Sequence, residues 1–333
     1  EEYRAAARMA EKYGPDVILL KTYPENFREE PESIIANIMA FAADPDIKAI
    51  VMVRAVSGTA AAFERLREKR PDILLIAGGI DETPDWIGPK ADVLFDSDEA
   101  AIGRNIPRQA KKMGAVTFVS YFFPRPMSDP LLVQRRDIMK AECEKLGVRF
   151  IDTAIPELPG SPGVFGVQPF LAEDVPLKVK AFGKNTCFFS AEYAVQETLI
   201  KATLENGAIN TQAPGLFPGY PGALGIDIPP DKADDMHFLA EQIKTKIAKK
   251  NGTGRFSACP AVMPALFVEA GVEYAKAWAN GQFKEKNNKE EVIKRLADAA
   301  GVKMNVTLYK GTSKTGQEQL GHFYLVTADY VTF

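Results

Sequence analysis

Short apolar segments alternate with amphipathic helical stretches through most of the chain at a spacing of about 30 residues, and this alternation limits the possible folds more than any other feature. The first series reads helix Glu1–Tyr13 closed by Gly14-Pro15, strand Val17–Leu20, helix Pro31–Ala43, strand Lys48–Val53, helix Thr59–Lys69, strand Ile73–Ala77 and strand Asp92–Phe95. After helix Ala100–Met113 and the Gly114 stop, a second series runs strand Val116–Tyr121, helix Pro130–Leu146, strand Arg149–Thr153, helix Phe170–Phe182, strand Thr186–Ser190 and helix Val195–Asn206. Strands apolar on both faces belong inside parallel sheets covered by helices. The expected class is α/β with two doubly wound parallel-sheet lobes, and 333 residues suit two domains.

Helix Asp231–Lys249 is followed by Asn251-Gly252-Thr253-Gly254, a flexible stretch that suits a crossing between lobes. Helix Val262–Asn280 is apolar on most faces and reads as buried, and the charge run Lys284–Glu291 reads as a solvated connection. Met304–Tyr309 and Gly321–Thr332 alternate as a hairpin or antiparallel edge pair. These boundaries place residues 1–115 plus 260–300 in an N-terminal lobe and 116–257 plus 301–333 in a C-terminal lobe.

Charge and motif content exclude several classes of function. With 41 basic and 44 acidic side chains the net charge is −3, so no excess of Lys and Arg exists for phosphate backbones and no nucleic-acid partner is expected. No apolar run approaches the ~18 residues of a membrane span. Three cysteines without a CxxC pair and two histidines disfavour a disulfide framework and a zinc site. The chain has no GxSxG, no GxGxxG after a strand, no P-loop and no HExxH, so no catalytic residue and no cofactor is expected. Asp96 and Asp98 flank Ser97 in a DxD pattern that could hold a cation, but that pattern is common and weakly specific, and no metal is expected.

In open parallel sheets, ligands bind beyond the carboxyl ends of the strands. The loops there are Thr22-Tyr23-Pro24, Arg54 to Thr59, Gly78-Gly79 and Asp96-Ser97-Asp98 in the first lobe, and Tyr121 to Arg125, Thr153-Ala154 and Ser190 to Tyr193 in the second. Their mixture of rings, hydroxyls and charges suits a polar organic molecule. Ser57 and Gly58 could offer backbone N–H groups to an anion, or Ser57 or Thr59 could simply cap a helix. Tyr121, Phe122 and Phe123 are consecutive, so only part of the trio can face the core. Glu192 suits either a ligand contact or a helix start, and the rigid turn around Phe217 and Tyr220 is either a ligand wall or a ring-packed loop.

The order of elements resembles type 1 periplasmic solute-binding proteins. The stretch Pro45–Arg70 with Gly58-Thr-Ala-Ala-Ala, running on through Arg67-Glu-Lys-Arg-Pro-Asp-Ile, together with Arg135-Arg-Asp-Ile-Met-Lys and Gly219-Tyr-Pro-Gly-Ala-Leu-Gly225, is similar to an uncharacterised bacterial family of periplasmic-binding-protein-like proteins and lipoproteins. The resemblance implies a multi-crossing hinge and a ligand cleft between the lobes. It also implies capture of a small polar ligand, such as a sugar, nucleoside or amino acid, for an ABC permease. Such proteins open with a β-strand, whereas the first helix here starts at Glu1, so a strand and a leader are expected ahead of it. The implied location is periplasmic or extracytoplasmic, with the membrane involved only through a lipid anchor on that missing segment. The alternative is the effector-binding domain of a lac-repressor-like regulator. The expected stacking walls are Tyr23, Tyr121, Phe122, Tyr193 and Tyr220, and the polar contacts are Arg54, Ser57, Thr59, Asp96, Ser97, Arg125 and Glu192.

Overall fold

A computed structural model of the chain describes residues 1–124, 130–156, 167–212, 219–229, 232, 235–313 and 316–333. Its elements in chain order are α1 (Glu2–Tyr13), α2 (Pro31–Ala42), β1 (Ala49–Ala55), α3 (Thr59–Lys69), β2 (Leu74–Ile80), α4 (Pro84–Ile87) and β3 (Val93–Ser97). Next come α5 (Glu99–Lys112), β4 (Thr117–Phe122), α6 (Pro130–Lys145), β5 (Arg149–Ala154), α7 (Val167–Phe182), β6 (Thr186–Ser190), α8 (Tyr193–Glu205) and β7 (Ile209–Thr211). The last third holds α9 (Gly219–Leu224), α10 (Met236–Ala248), β8 (Phe256–Ala258), α11 (Met263–Ala279), α12 (Lys289–Ala300), β9 (Met304–Ser313), β10 (Gly316–Ala328) and β11 (Val331–Thr332). No described helix is long and apolar enough to cross a membrane. The chain divides into two compact units, Glu1–Asp98 with Met263–Ala328 and Glu99–Val262 with Asp329–Phe333, so it passes from one to the other three times.

The first unit is built on a five-stranded sheet of order β1-β2-β3-β10-β9. β1, β2, β3 and β10 run parallel, and β9 is antiparallel to β10. One face packs Ile34, Ile35 and Ile38 of α2 and Phe63 and Leu66 of α3 against Leu75, Ala77, Leu94 and Phe323. Helix α11 covers the other face at close range. A Cβ on Gly78 would lie 2.9 Å from the Cβ of Phe267, and one on Gly271 would lie 2.8 Å from Val51 Cγ1, so both positions require glycine for this contact. Phe95 stacks on Phe267 at 6.0 Å and leans on Tyr324 at 6.5 Å. Arg8–Glu269 and Lys12–Glu273 ion pairs, each 2.7 Å, lay α1 on the outside of α11.

The second unit carries a six-stranded sheet of order β11-β8-β7-β6-β4-β5, parallel except for β11. Alternation along β6 sends Cys187 and Phe189 to the face covered by α5 and α6, and Phe188 to the face covered by α7 and α8. A third cluster packs Tyr220, Leu239, Ile243, Phe256 and Phe333 around α9 and α10.

Several elements differ from the sequence expectation. Val17–Leu20 forms no strand, and Val17 and Leu19 are exposed. The segment joins no sheet among the described residues: the order of the first sheet begins at β1, and the Val17 and Ile18 N–H groups turn back to the Gly14 carbonyl. Helix α5 packs Ile102, Ile106 and Ala110 against Phe118 and Met139, which puts it in the second unit rather than with residues 1–115. The terminal hairpin is real, but β10 also pairs in parallel with β3, so residues through Ala328 lie in the first unit and only 329–333 in the second. The short strands β7 and β8, with only three residues each, carry too weak a pattern to be seen in the sequence.

Candidate ligand-binding loops

At the carboxyl end of β1 the ladder is interrupted while the register is kept: Val53 pairs with Gly78 and Ala55 with Ile80, with no pair between Arg54 and Gly79. Arg54 takes a left-handed backbone, φ 61°, and Gly79 opposite it has φ 60°. A left-handed arginine costs on the order of 1–2 kcal/mol, so the surrounding contacts hold it there. One of them is Tyr23, whose hydroxyl proton is shared between the carbonyls of Val53 and Arg54, both at 2.7 Å. The Arg54 side chain is 44% exposed; its Nε lies 3.6 Å from Asp81 Oδ2 and its Nη1 3.9 Å from Glu2 Oε1. Phe27 tilts against Tyr23 at 5.6 Å, with the guanidiniums of Arg54 and Arg28 at 5.8 and 5.7 Å from its ring centre. Burial and the Asp81 and Glu2 carboxylates push the Tyr23 phenol well above its ordinary value, keeping it a neutral donor.

The start of α3 is shaped from the next loop. Glu82 Oε1 accepts the N–H of Gly58 at 2.9 Å and Oε2 that of Ala60 at 2.8 Å, while the Thr59 N–H goes to the Val56 carbonyl. Thr59 is fully buried and its hydroxyl donates to Val56 O at 2.7 Å, so it is not a solvent-facing contact but the pin of this turn. Ser57 beside it is exposed. At the end of β3, Asp96 and Ser97 are half-buried, and Asp96 Oδ1 accepts the Ser97 N–H at 2.8 Å. Asp98 is buried and accepts from Thr307 at 3.0 Å, so the DxD pair does not present two free carboxylates.

In the second unit two expected ring walls belong to the core. Tyr121 is buried, stacks on Phe188 at 6.1 Å and donates its hydroxyl to Asp174 at 2.7 Å. Tyr220 is also buried, meets Phe333 edge-on at 5.3 Å and donates to Ser257 O at 3.3 Å. Alternation explains Tyr121, which shares its side of β4 with buried Val119. Phe122 and Glu192 are half-buried and Tyr193 is 59% exposed, at the ends of the adjacent strands β4 and β6. Burial raises the Glu192 carboxyl above its ordinary value, with Arg135 pulling the other way. Arg125 and Phe217 lie outside the described residues.

Four residues escaped the sequence reading. Asp81 and Glu82 follow β2, which runs three residues beyond the expected end at Ala77, so the loop begins at Asp81 and not at Gly78. Buried Gln196 and Gln212 form an amide pair beside the end of β6. The Gln196 side-chain N–H groups reach the Ser190 and Glu192 carbonyls at 2.8 and 3.0 Å, and its oxygen accepts from Gln212 at 3.3 Å. The Gln212 side-chain oxygen is left without a hydrogen-bond partner among the described residues. Only an acidic pair after a glycine-ended strand could have signalled Asp81 and Glu82, and nothing in the sequence marks the glutamines.

Residues 1–257 match the model of a family described as protein of unknown function (DUF3798). An uncharacterized protein of Treponema pallidum (strain Nichols) is 33% identical over 210 residues, 63% of this chain and 95% of that protein. The crystal structure of a candidate transcriptional regulator from Clostridium difficile 630 is similar with a TM-score of 0.88 at 21% identity, covering 100% of this chain and 95% of that one. That of a sugar ABC transporter from Actinomyces odontolyticus ATCC 17982 is similar with a TM-score of 0.52 at 10% identity, covering 100% and 89%. At these identities the likeness is one of fold, and with the family match over most of its length the chain is a member of the DUF3798 family built on the two-unit α/β fold of type 1 periplasmic binding proteins.

Proposed function

We propose that the protein is a solute-binding protein that captures a small polar organic ligand, sugar-, nucleoside- or amino-acid-like, for an ABC-type importer outside the cytoplasm, and performs no bond chemistry. The observation that carries this reading is Arg54. A left-handed, exposed arginine, held by Tyr23 at a strand's carboxyl end and flanked by Phe27, Asp81 and Glu2, has the character of a strained functional position. In the first unit, rings at these loops would stack on a ligand while Arg54, Ser57, Asp96 and Ser97 pair its polar groups; the second unit, taken by itself, would offer Glu192 as a polar contact and Phe122 and Tyr193 as apolar faces. Fold similarity to the Actinomyces sugar ABC transporter supports the reading.

The test is native mass spectrometry of protein purified without added ligand, followed by calorimetry of the co-purified solute with Arg54→Ala and Glu192→Ala. Leaving a ligand group unpaired costs about 1–3 kcal/mol, so each variant should bind roughly tenfold or more weakly. Wild-type affinity in both variants, with circular dichroism unchanged, would overturn the site, and conversion of the solute to a product would overturn the non-enzymatic reading.

A second reading, the effector domain of a lac-repressor-like regulator, is favoured by the similarity to the Clostridium protein described as a candidate transcriptional regulator. Sequence-specific DNA binding by the product of the whole gene would establish it over the importer reading.

A further inference from the structure

At the carboxyl ends of the adjacent strands β6 and β7, in the second unit, a buried chain of polar groups runs in one fixed direction. Gln196 of α8 has two side-chain N–H groups and uses both, on the Ser190 carbonyl at 2.8 Å and the Glu192 carbonyl at 3.0 Å. Its oxygen is thereby turned to Gln212, the residue after β7, which donates to it at 3.3 Å. Turning over either amide would set oxygen against oxygen, so the chain must end on the Gln212 oxygen. Both side chains are buried, Gln196 with 1% and Gln212 with 0% exposure. Neighbouring hydroxyls are already engaged: Ser190 Oγ accepts the Glu192 N–H at 3.2 Å, and Ser257 donates to Thr211 at 3.1 Å. The Gln212 oxygen has no hydrogen-bond partner among the described residues. Asn210 Oδ1 is also unpartnered, but Asn210 is mid-strand and gives its side-chain N–H to the Phe188 carbonyl at 3.0 Å. Gln212 stands past the strand's carboxyl end, where parallel sheets meet their ligands.

We infer that Gln212 is a ligand-contacting residue that sets specificity in the second unit: its fixed side-chain oxygen accepts a hydrogen bond from a hydroxyl or N–H group of the ligand. A carboxylate has no hydrogen to give and would meet the negative end of the amide dipole, so it is rejected at this point. A desolvated acceptor without a donor costs free energy, and a ligand donor that becomes buried with it removes that cost. Water is a poor substitute, because a buried water needs about two to four polar partners and the nearby hydroxyls and Gln196 are already paired. This inference deepens the solute-binding reading and rests on it. The fixed direction of the amide chain does not depend on that reading.

The probes are D-ribose, which carries hydroxyl donors on every face, and acetate, which carries none at neutral pH. Both are followed through the side-chain amide NMR signals of Gln212 and Gln196 in the full chain, because a hydrogen bond accepted by an amide oxygen moves the N–H signals of the same group. Ribose should move the Gln212 signals saturably, with those of Gln196 following through the shared bond, and acetate should leave them in place. Gln212→Leu should bind ribose at least about tenfold more weakly than wild type. The wild-type titration needs no substitution and decides the matter if the leucine variant does not fold. Ribose binding with the Gln212 signals unmoved, or equal binding by wild type and Gln212→Leu, would show that the oxygen serves an internal water only and overturn the inference. An equal response to acetate, or ribose that moves no signal at all, would overturn it as well. Failure of the solute-binding reading shows separately, as no co-purified solute in native mass spectrometry, whereas a solute whose affinity depends on Arg54 and Glu192 but not on Gln212 leaves that reading standing and removes this one.

Discussion

Arg54 and Gly79 face each other across β1 and β2 with matching left-handed backbones, φ 61° and 60°, where the ladder between the strands is interrupted. A Cβ on Gly79 would have room, its nearest neighbour being the Arg54 nitrogen at 3.7 Å, so an added methyl group acts through conformation and not through a clash. Gly79→Ala should therefore destabilise the fold by about 1–2 kcal/mol in urea unfolding. Arg54→Gly relieves the backbone but loosens the unfolded chain, and its stability should stay within about 1 kcal/mol of wild type. A Gly79→Ala protein as stable as wild type would show that this interruption of the ladder is not held in the left-handed form.

Glu192 should carry a pH signature. Burial raises its carboxyl pKa in the folded state, against the attraction of Arg135, so ionising it opposes folding. That cost is absent below the ordinary carboxylate pKa of about 4.3 and is fully present once the pH has risen past the raised folded value. Glu192→Gln should thus be more stable than wild type at neutral pH, with the gain fading as the pH is lowered through the acid range. Equal denaturant midpoints at neutral pH would contradict this.

At alkaline pH the buried phenols should act together. Burial pushes Tyr324 up to about 12 despite the Asn287 hydrogen bond. Burial likewise raises Tyr121, aided by its bond to Asp174, and raises Tyr220 and Tyr330 well above the usual range. Groups whose folded pKa lies above the unfolded one hold the fold fully below about pH 10 and lose that contribution as the pH climbs past 10 toward 12. A late rise of tyrosinate absorbance should coincide with loss of the circular dichroism signal, and Tyr121→Phe should lower neutral-pH stability by about 1 kcal/mol. Complete tyrosinate formation in a protein with an intact dichroism spectrum would refute the burial of these rings.

Cys143, Cys187 and Cys259 are all buried, and none of them is in a disulfide. Burial pushes the Cys143 thiol up to about 12, with the Glu142 and Glu144 carboxylates adding to it, and also raises Cys187, so little thiolate forms in the native protein. A thiol reagent should react slowly at neutral pH in the absence of denaturant and count three groups after unfolding. Rapid native labelling of any one of them would mean that its helix or strand opens readily.

The loop chemistry was only partly legible in the sequence. Reading the carboxyl ends of apolar strands leads to Arg54, Ser57, Asp96 and Glu192, because the parallel-sheet rule depends on strand order and direction. Thr59 and Tyr121 are chemically plausible ligand contacts in the sequence, yet a hydrogen bond to Val56 occupies one and alternation turns the other into a core beneath α7 and α8. Glu82 was invisible because its partners, Gly58 and Ala60, are 24 and 22 residues away.

By itself the sequence determined the alternation of strands and helices, the α/β class and the parallel direction of most strands, since these follow from local apolar periodicity and from which faces must be covered. Pairing between distant segments was decided only in three dimensions. The insertion of β10 beside β3 brings Phe323 against Leu94 and carries residues 304–328 into the first unit, and the contacts of Ile102 and Ile106 with Phe118 draw α5 into the second. Such pairings depend on which surfaces bury each other across hundreds of residues, a non-local condition that no window of sequence contains.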